Sequence, residues 1–325
     1  MYNNTILNSS NSAYQTIVNQ YKGLVSDNGC LLLTGSHSVN LDNPKSDIDL
    51  IIVTTHKIPD VNYNSYMVDY IDGFRVESLV ITPDNFTSNL LQIKNSGFGH
   101  DMLAAYKFVY SIALINSDNY INLLDDFCWV TFKYKKKKYH QDAFIKIYED
   151  VIGSLTLVDV YSTISWSKSL LLQVMEIYLI SNNDFYDKLK FNHLRVNNRF
   201  LDLNRDFISS YNDLILGGCK PSEFTTYLTE IFLFVKTILI LDTLELNIEH
   251  ATKVYNIILA NQHKDYKKNI SVIFKHNDKY LFSSVERNFL TNKSNAISHL
   301  IYGKGNPKFD ISELLNLQIK NPILL

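Results

Sequence analysis

The fold of this chain is decided by the stretch LTGS at residues 33–36 and, after ten intervening residues, DIDL at residues 47–50. Each half adjoins a short apolar run, at 30–34 and at 47–54. Runs of this length and composition predict two β-strands joined by a loop. Side chains two residues apart on a strand lie on the same face, so Asp47 and Asp49 should present two carboxylates side by side.

The sequence around this stretch predicts a small sheet flanked by helices. Three further strands are predicted, at 66–70, 74–81 and 111–116. Three helices are predicted from apolar spacing, at 13–25, 82–94 and 119–129. The pair Asp72-Gly73 is a strong hairpin signal between two of the strands. Thr82 offers an N-cap hydroxyl, and the proline after it suits the first helical position.

The second half of the chain predicts an almost wholly helical structure. Apolar residues recur at helical spacing in five segments, 139–155, 157–180, 203–216, 222–241 and 248–262. Such segments predict a bundle of antiparallel helices. The tail differs, because it predicts a hairpin and then short helices. Its elements are strands at 270–274 and 279–283 and helices at 294–302 and 311–317, the last capped by Asp310.

Together these elements predict an α+β protein with three parts. A small mixed β-sheet domain occupies 1–132, and a helical bundle domain occupies 133–266. A small C-terminal hairpin-plus-helix appendage occupies 267–325, with a winged helix as one option for it. The acceptor of any reaction should bind in the cleft between the first two domains.

Composition and charge narrow the class of function. The 325 residues carry a formal net charge of −2 with a pI near 6.5, so no overall positive field exists to hold a long polyanion. The three cysteines lie far apart, which gives neither a zinc nor a disulfide pattern. The longest apolar run, at 231–241, is short and contains Lys236. We therefore expect a cytoplasmic protein without a membrane segment; its assembly stays open, a homodimer included.

The quoted stretch has the residues that phosphate and metal chemistry require. Asp47 and Asp49 repel each other unless a cation lies between them, and their oxygens suit Mg²⁺ bridged to substrate phosphates. Gly35 lets the backbone approach a phosphate closely, and Ser36 adds a hydroxyl and an N–H at the start of a short helix. His37 follows directly and is a candidate phosphate contact.

A site with two Mg²⁺ needs a third carboxylate from a neighbouring strand. Glu77 is our choice, because it is a lone acid within the otherwise apolar alternation of the strand at 74–81. An ordinary ion pair between Arg75 and Glu77 on the sheet surface is the simpler explanation for this acid. Asp69 and Asp72 are the rival candidates.

The quoted stretch consists of an apolar residue before Gly-Ser, a spacer of ten residues, and Asp-apolar-Asp-apolar. This pattern resembles the signature of the DNA polymerase β-like nucleotidyltransferase superfamily. With the hairpin and helical half that follow, the chain looks most similar to the kanamycin (aminoglycoside) nucleotidyltransferase group. The resemblance implies that Gly35 and Ser36 hold the phosphates of a nucleoside triphosphate. It also implies that Asp47, Asp49 and Glu77 bind two Mg²⁺.

The resemblance further implies a general base on the first long helix, where Glu149 and Asp150 lie. The expected reaction is transfer of AMP from ATP to a hydroxyl group of a small molecule, with release of pyrophosphate. A protein or tRNA acceptor, as in toxin-type relatives, and a non-catalytic nucleotide-binding regulator are the alternatives. The lysines at 133 and 135–138 indicate a solvated helix start or linker face rather than a nucleic-acid site.

Overall fold

The computed structural model describes residues 12–43, 45–95, 106–125, 127–186, 188–262, 266–276, 279–284, 288–291 and 293–302. The chain divides into two compact units. The sheet unit comprises Met1–Lys135 with Phe185–Asp187, and the helical unit comprises Lys136–Asp184 with Lys188–Leu325. The protein is thus of the α+β class, as the sequence predicts.

The sheet unit contains a mixed five-stranded sheet with the strand order β3-β4-β2-β1-β5. Its strands are β1 (Cys30–Thr34), β2 (Ile48–Val53), β3 (Ser65–Ile71), β4 (Phe74–Ile81) and β5 (Ile112–Ile115). The described helices of this unit are α1 (Ser12–Tyr21), α2 (Pro83–Asn95), α3 (Tyr106–Val109) and α4 (Ser117–Leu124). Strands β2 and β4 pair in parallel, whereas the other neighbours pair antiparallel.

Local signals account for the turns of this unit. Asp72 and Gly73 both adopt positive φ, 50° and 83°, as a two-residue hairpin turn between β3 and β4 requires. The hydroxyl of Thr82 accepts a hydrogen bond of 3.2 Å from the backbone N–H of Asn85 and so caps α2. Both predictions are confirmed. The helix predicted at 119–129 is wrong, because α4 ends at Leu124 and a separate helix begins at Trp129.

The two faces of the sheet differ in chemistry. One face carries the alternating residues Leu31, Leu33, Leu50 and Ile52, which are buried in a core shared with Ile17 of α1. The opposite face is also buried along most of β1 and β2, for example at Leu32 and Ile51. It is polar at one end, where the predicted acids Asp49 and Glu77 pair across β2 and β4.

The helical unit holds the predicted bundle. Its helices are most of α5 (Trp129–Thr156), then α6 (Val160–Ser181), α7 (Asn192–Phe200), α8 (Arg205–Leu216), α9 (Phe224–Leu244), α10 (Ala251–Ala260) and α11 (Lys293–Tyr302). Its strands are β6 (Ser271–His276), β7 (Lys279–Ser284) and β8 (Asn288–Thr291), which form an antiparallel sheet. Helix α7 and strand β8 are not predicted by the sequence patterns. The predicted helix at 311–317, with its cap Asp310, lies outside the described residues.

The described part of the tail packs into the core of the bundle. Val272 and Ile273 of β6 and Ile297 and Leu300 of α11 are buried in the same apolar cluster as the bundle helices. The division of the chain into three domains stays a prediction.

The lysine-rich segment is part of helix α5 rather than a linker. Lys136 is buried, and Lys137 donates to Ser181 Oγ at 2.7 Å and to Asp242 Oδ1 at 2.8 Å. The expectation of a solvated face holds only for Lys138, which pairs with Asp142 one turn along α5 on the exposed surface. Hydrogen-bond partners on α6 and α9 therefore explain why a lysine stands at position 137. The helix α5 begins at Trp129, ten residues before its predicted start.

Helix α9 forms the centre of the bundle. Among the helices within the described ranges, it alone is long and apolar enough to cross a membrane by length and composition. However, 72% of its most apolar window is buried inside the protein, which is the pattern of a core helix. Lys236 lies within this buried stretch, and burial lowers its pKa to about 7.

A buried charged network joins three helices of this unit. Arg195 donates to Glu176 at 2.7 and 2.9 Å and to Asp184 at 2.9 and 3.2 Å. Asn192 donates to Glu176 at 2.7 Å, and Tyr211 donates to Asn192. Burial by itself lowers the pKa of Arg195, but the two carboxylates outweigh it and raise that pKa above its ordinary value. Each buried charge thus has an opposite charge beside it.

Candidate active site

Strand register places two of the predicted acids next to each other. Asp49 of β2 is the partner of Glu77 on the parallel strand β4 and of Thr34 on β1. Partners across a ladder present their side chains on the same face. Asp47 lies just before β2, two residues from Asp49. The acids from the quoted stretch and the acid chosen from the neighbouring strand are therefore brought to one part of the sheet.

The rival acids lie elsewhere. Asp69 alternates with the residues of β3 that share the face of Glu77, and it accepts a hydrogen bond from Tyr21 of α1. Burial and this hydrogen bond raise the pKa of Tyr21 above its ordinary value. Asp72 belongs to the hairpin turn. The geometry favours Glu77 over both as the third carboxylate.

Gly35 touches the carboxylate of Asp49. Its φ is +70°, in the left-handed region that favours glycine. A Cβ built on Gly35 would lie 2.0 Å from Asp49 Oδ2 and 2.8 Å from its Cγ. Only a residue without a side chain leaves this carboxylate where it is. The site thus needs glycine here for the acid as well as for any phosphate.

Ser36 and the residues after it form a tight turn beside Asp49. Ser36 precedes a short 3₁₀ helix, His37–Val39, and its carbonyl accepts from the N–H of Leu41 at 3.0 Å. The prediction that Ser36 starts a short helix is confirmed. Ser38 Oγ donates to the carbonyl of Gly35 at 2.9 Å and to that of Tyr110 at 3.0 Å. These bonds fix the loop in one conformation.

His37 is buried in this turn rather than exposed in a loop. Its Nδ1 lies 2.9 Å from the hydroxyl of Tyr14 and 3.5 Å from Asp42 Oδ2. Burial, and then the charge of Asp42, raise the pKa of Tyr14. His37 Nε2 is buried and has no hydrogen-bond partner within the described part of the protein. A phosphate contact by His37 stays a prediction.

Two cations neutralise the acids. Arg75 lies between two of them, with Nη1 3.7 Å from Asp47 Oδ2 and Nη2 in contact with Glu77 Oε1. Lys107 Nζ lies 3.1 Å from Asp49 Oδ1. Carboxylates at neighbouring positions of a sheet repel one another unless positive charge compensates them. In this structure, side chains of the protein provide that charge.

The donor set fits a divalent cation in the type of its ligand atoms. Carboxylate oxygens are the ligands that Mg²⁺ prefers, and Asp47, Asp49 and Glu77 lie at neighbouring positions of the sheet. Among the residues that the structure describes, no three His, Cys, Asp or Glu side chains are gathered closely enough to hold a metal ion. Arg75 and Lys107 have to leave the acids before these can close around a cation.

The predicted general base belongs to the other unit. Glu149 and Asp150 are exposed on α5 in the helical unit, whereas the other three predicted acids, Asp47, Asp49 and Glu77, belong to the sheet unit. Their role stays a prediction.

Comparison with solved structures gives distant structural similarity. No protein-family model matches the chain, and no curated protein matches it. The crystal structure of a nucleotidyltransferase-like protein from Exiguobacterium sibiricum 255-15 is similar over 78% of this chain and 80% of that chain. The sequences are 11% identical, and the TM-score is 0.35. A similarity this low does not establish a family, so the function has to be inferred from the site itself.

The contact of Lys107 with Asp49 could not be predicted from the sequence. Lys107 lies on the four-residue helix α3, which has too few residues to show a periodic pattern. Arg75 could be found, because it stands two residues before Glu77 on the same strand and so shares its face. Lys107 reaches Asp49 only through the tertiary fold, and no local signal marks it.

Proposed function

We propose that this protein is a metal-dependent nucleotidyltransferase that transfers a nucleoside monophosphate, AMP from ATP as the expected case, to a hydroxyl group. The observation that carries the proposal is the pairing of Asp49 with Glu77 across β2 and β4 beside the glycine loop. Neighbouring carboxylates suit a metal ion, and a backbone loop that begins a helical turn suits the phosphates of a triphosphate bound to that ion.

Each residue has a defined task in this reaction. Asp47, Asp49 and Glu77 would hold two Mg²⁺. When bound, these ions supply the positive charge that stabilises an in-line displacement at phosphorus. Gly35 keeps the carboxylate of Asp49 in place, and Ser36 offers its N–H and hydroxyl to the β- and γ-phosphates.

The bond changes balance without a further reactant. The acceptor oxygen forms a bond to the α-phosphorus, and the bond from that phosphorus to the oxygen that bridges to the β-phosphate breaks. Pyrophosphate leaves, and the proton of the acceptor hydroxyl passes to a base, for which Glu149 and Asp150 are the proposed residues. A small-molecule acceptor is our first choice, and a protein or tRNA acceptor is the alternative.

The test is a transfer assay with the purified full chain. ATP, GTP, CTP and UTP, each labelled at the α-phosphate, are incubated with Mg²⁺ and separate pools of small molecules, tRNA and proteins. We expect pyrophosphate release, with label appearing in one pool. The position of the label identifies the nucleotide and the acceptor class together.

Asp49→Asn is the matching variant, and Asp142→Asn is its control. Asp49→Asn removes one metal-binding charge and should lower the rate by about 10³-fold, the scale of losing one preorganised electrostatic contact. Asp142 is an exposed carboxylate on α5 paired with Lys138, so its variant should behave as wild type. If Asp49→Asn releases pyrophosphate at the wild-type rate, the proposal is contradicted. If the wild-type protein binds nucleotide but releases no pyrophosphate, a non-catalytic regulator is favoured.

A further inference from the structure

We propose that Lys107 is a nucleotide-binding residue: its ammonium group pairs with Asp49 in this structure and would transfer to the triphosphate when a nucleotide binds together with its metal ion. This inference rests on the proposed function and names a residue for it. Lys107 would thereby link occupancy of the carboxylate by a cation to binding of the nucleotide.

The first support is the position of the ammonium group. Lys107 Nζ lies 3.1 Å from Asp49 Oδ1, while the other oxygen of the same carboxylate faces Gly35. The side chains of Lys107 and Asp49 are 22% and 19% exposed. The pair is thus partly shielded from water but still accessible to a ligand. The carboxylate of Asp49 therefore lies between the ammonium group of Lys107 and Gly35.

The second support is that the backbone of Lys107 is fastened to this loop. Its carbonyl accepts hydrogen bonds from Thr34 Oγ1, at 3.3 Å, and from Ser111 Oγ. Ser38, on the other side of the Gly35-Ser36 pair, donates to the carbonyl of Tyr110 at 3.0 Å. Two hydrogen bonds that flank the loop therefore hold the segment of Lys107 against it.

The third support is the chemistry of exchange. A divalent cation on Asp49 repels the ammonium group of Lys107, so the two compete for one carboxylate. A lysine side chain has a flexible four-carbon stem and can move to a new anion while its backbone stays fixed. The triphosphate chain of a nucleotide is the anion that arrives with the metal. Lys107 can then contact it from the fixed segment.

The test compares two ligands on Lys107→Met. Binding of Mn²⁺ alone is measured by electron paramagnetic resonance. Binding of an ATP analogue with a methylene group between its α- and β-phosphates is measured by calorimetry in saturating Mn²⁺. We expect Lys107→Met to bind Mn²⁺ about tenfold more tightly, because the competing charge is gone. We expect the same variant to bind the analogue about tenfold more weakly, because a phosphate contact is gone.

Opposite signs for the two ligands separate the proposal from a purely structural role. A structural role for Lys107 moves both affinities in the same direction or neither, and either result overturns the inference. Lys107→Arg keeps the charge and should stay near wild type for both ligands. The control is Lys138→Met, which removes an exposed lysine from an ion pair on α5 and should change neither affinity.

Two outcomes separate this inference from the function on which it rests. A wild-type protein that binds neither Mn²⁺ nor the analogue overturns the proposed function and the inference together. If the wild-type protein binds both ligands, but Lys107→Met does not bind Mn²⁺ more tightly and the analogue more weakly, the inference alone is overturned. Lys107→Gln is measured as a second variant, and failure of both variants to fold shows that the pair is structural and overturns the inference.

Discussion

Replacement of Gly35 by alanine tests the close approach between the loop and Asp49. The added Cβ would lie 2.0 Å from Asp49 Oδ2, where real side-chain carbons essentially never approach. The backbone of Gly35 also has a φ of +70°, which an L-residue with a Cβ adopts at a cost. Gly35→Ala should therefore affect both stability and the position of the carboxylate.

The two effects have separate magnitudes. The left-handed backbone costs about 1 kcal/mol for a residue with a Cβ. Displacement of Asp49 adds about 1 kcal/mol more, because the carboxylate has to leave Lys107 and its place on the strand. The expected loss in the free energy of unfolding is about 2 kcal/mol. Mn²⁺ affinity should fall by tenfold or more, since a ligand oxygen is displaced.

Gly73→Ala is the matched control. Gly73 has a φ of +83°, but a Cβ there meets nothing within 4 Å. It should show only the backbone cost of about 1 kcal/mol and unchanged Mn²⁺ affinity. Urea unfolding curves give the stabilities of both variants, and electron paramagnetic resonance gives the Mn²⁺ affinities. If Gly35→Ala and Gly73→Ala lose equal stability and both retain Mn²⁺ binding, the carboxylate is not positioned by the glycine.

Two further predictions concern the helical unit. Arg195→Met leaves Glu176 and Asp184 buried without their counter-charge. It should lower the free energy of unfolding, measured by urea titration, by about 3–5 kcal/mol. The control is Arg205→Met, at the exposed start of α8, and an equal or smaller loss of stability in Arg195→Met contradicts the prediction. Because burial lowers the pKa of Lys236 to about 7, the unfolded chain binds more protons than the folded chain from about pH 7 to pH 10. Stability should therefore rise with pH, by about 2–3 kcal/mol between pH 7 and pH 9, and Lys236→Met should be more stable at pH 7 and lose this dependence. A wild-type stability that is flat over this window refutes the reasoning.

The sequence predicted the parts of the site that local patterns specify. The bounds of β1 and β4 match their predicted ranges, since each is a short apolar run with clear turn residues beside it. The Asp72-Gly73 turn sets the register of β3 on β4. Glu77 could be chosen because an acid within an apolar alternation is unusual, and its pairing with Asp49 is what the structure adds.

Features that depend on distant partners were missed. The sequence pattern predicts a solvated basic run that includes Lys137, but its partners Ser181 and Asp242 lie on helices far along the chain. The helix that carries Lys137, α5, also begins earlier than the apolar periodicity predicts, at Trp129. Lys107 is a third case, since its ion pair with Asp49 depends on the placement of α3 against the loop after β1.

The parallel pairing of β2 with β4 determines when the acids meet during folding. Strands β3 and β4 can close locally as a hairpin, an event of microseconds. Asp49 reaches Glu77 only when that whole hairpin docks on β2, and contacts between distant segments of a chain form slowly. The repulsion between these carboxylates therefore opposes the docking of the hairpin on β2, and Arg75, on the same strand as Glu77, brings a compensating positive charge in the same step.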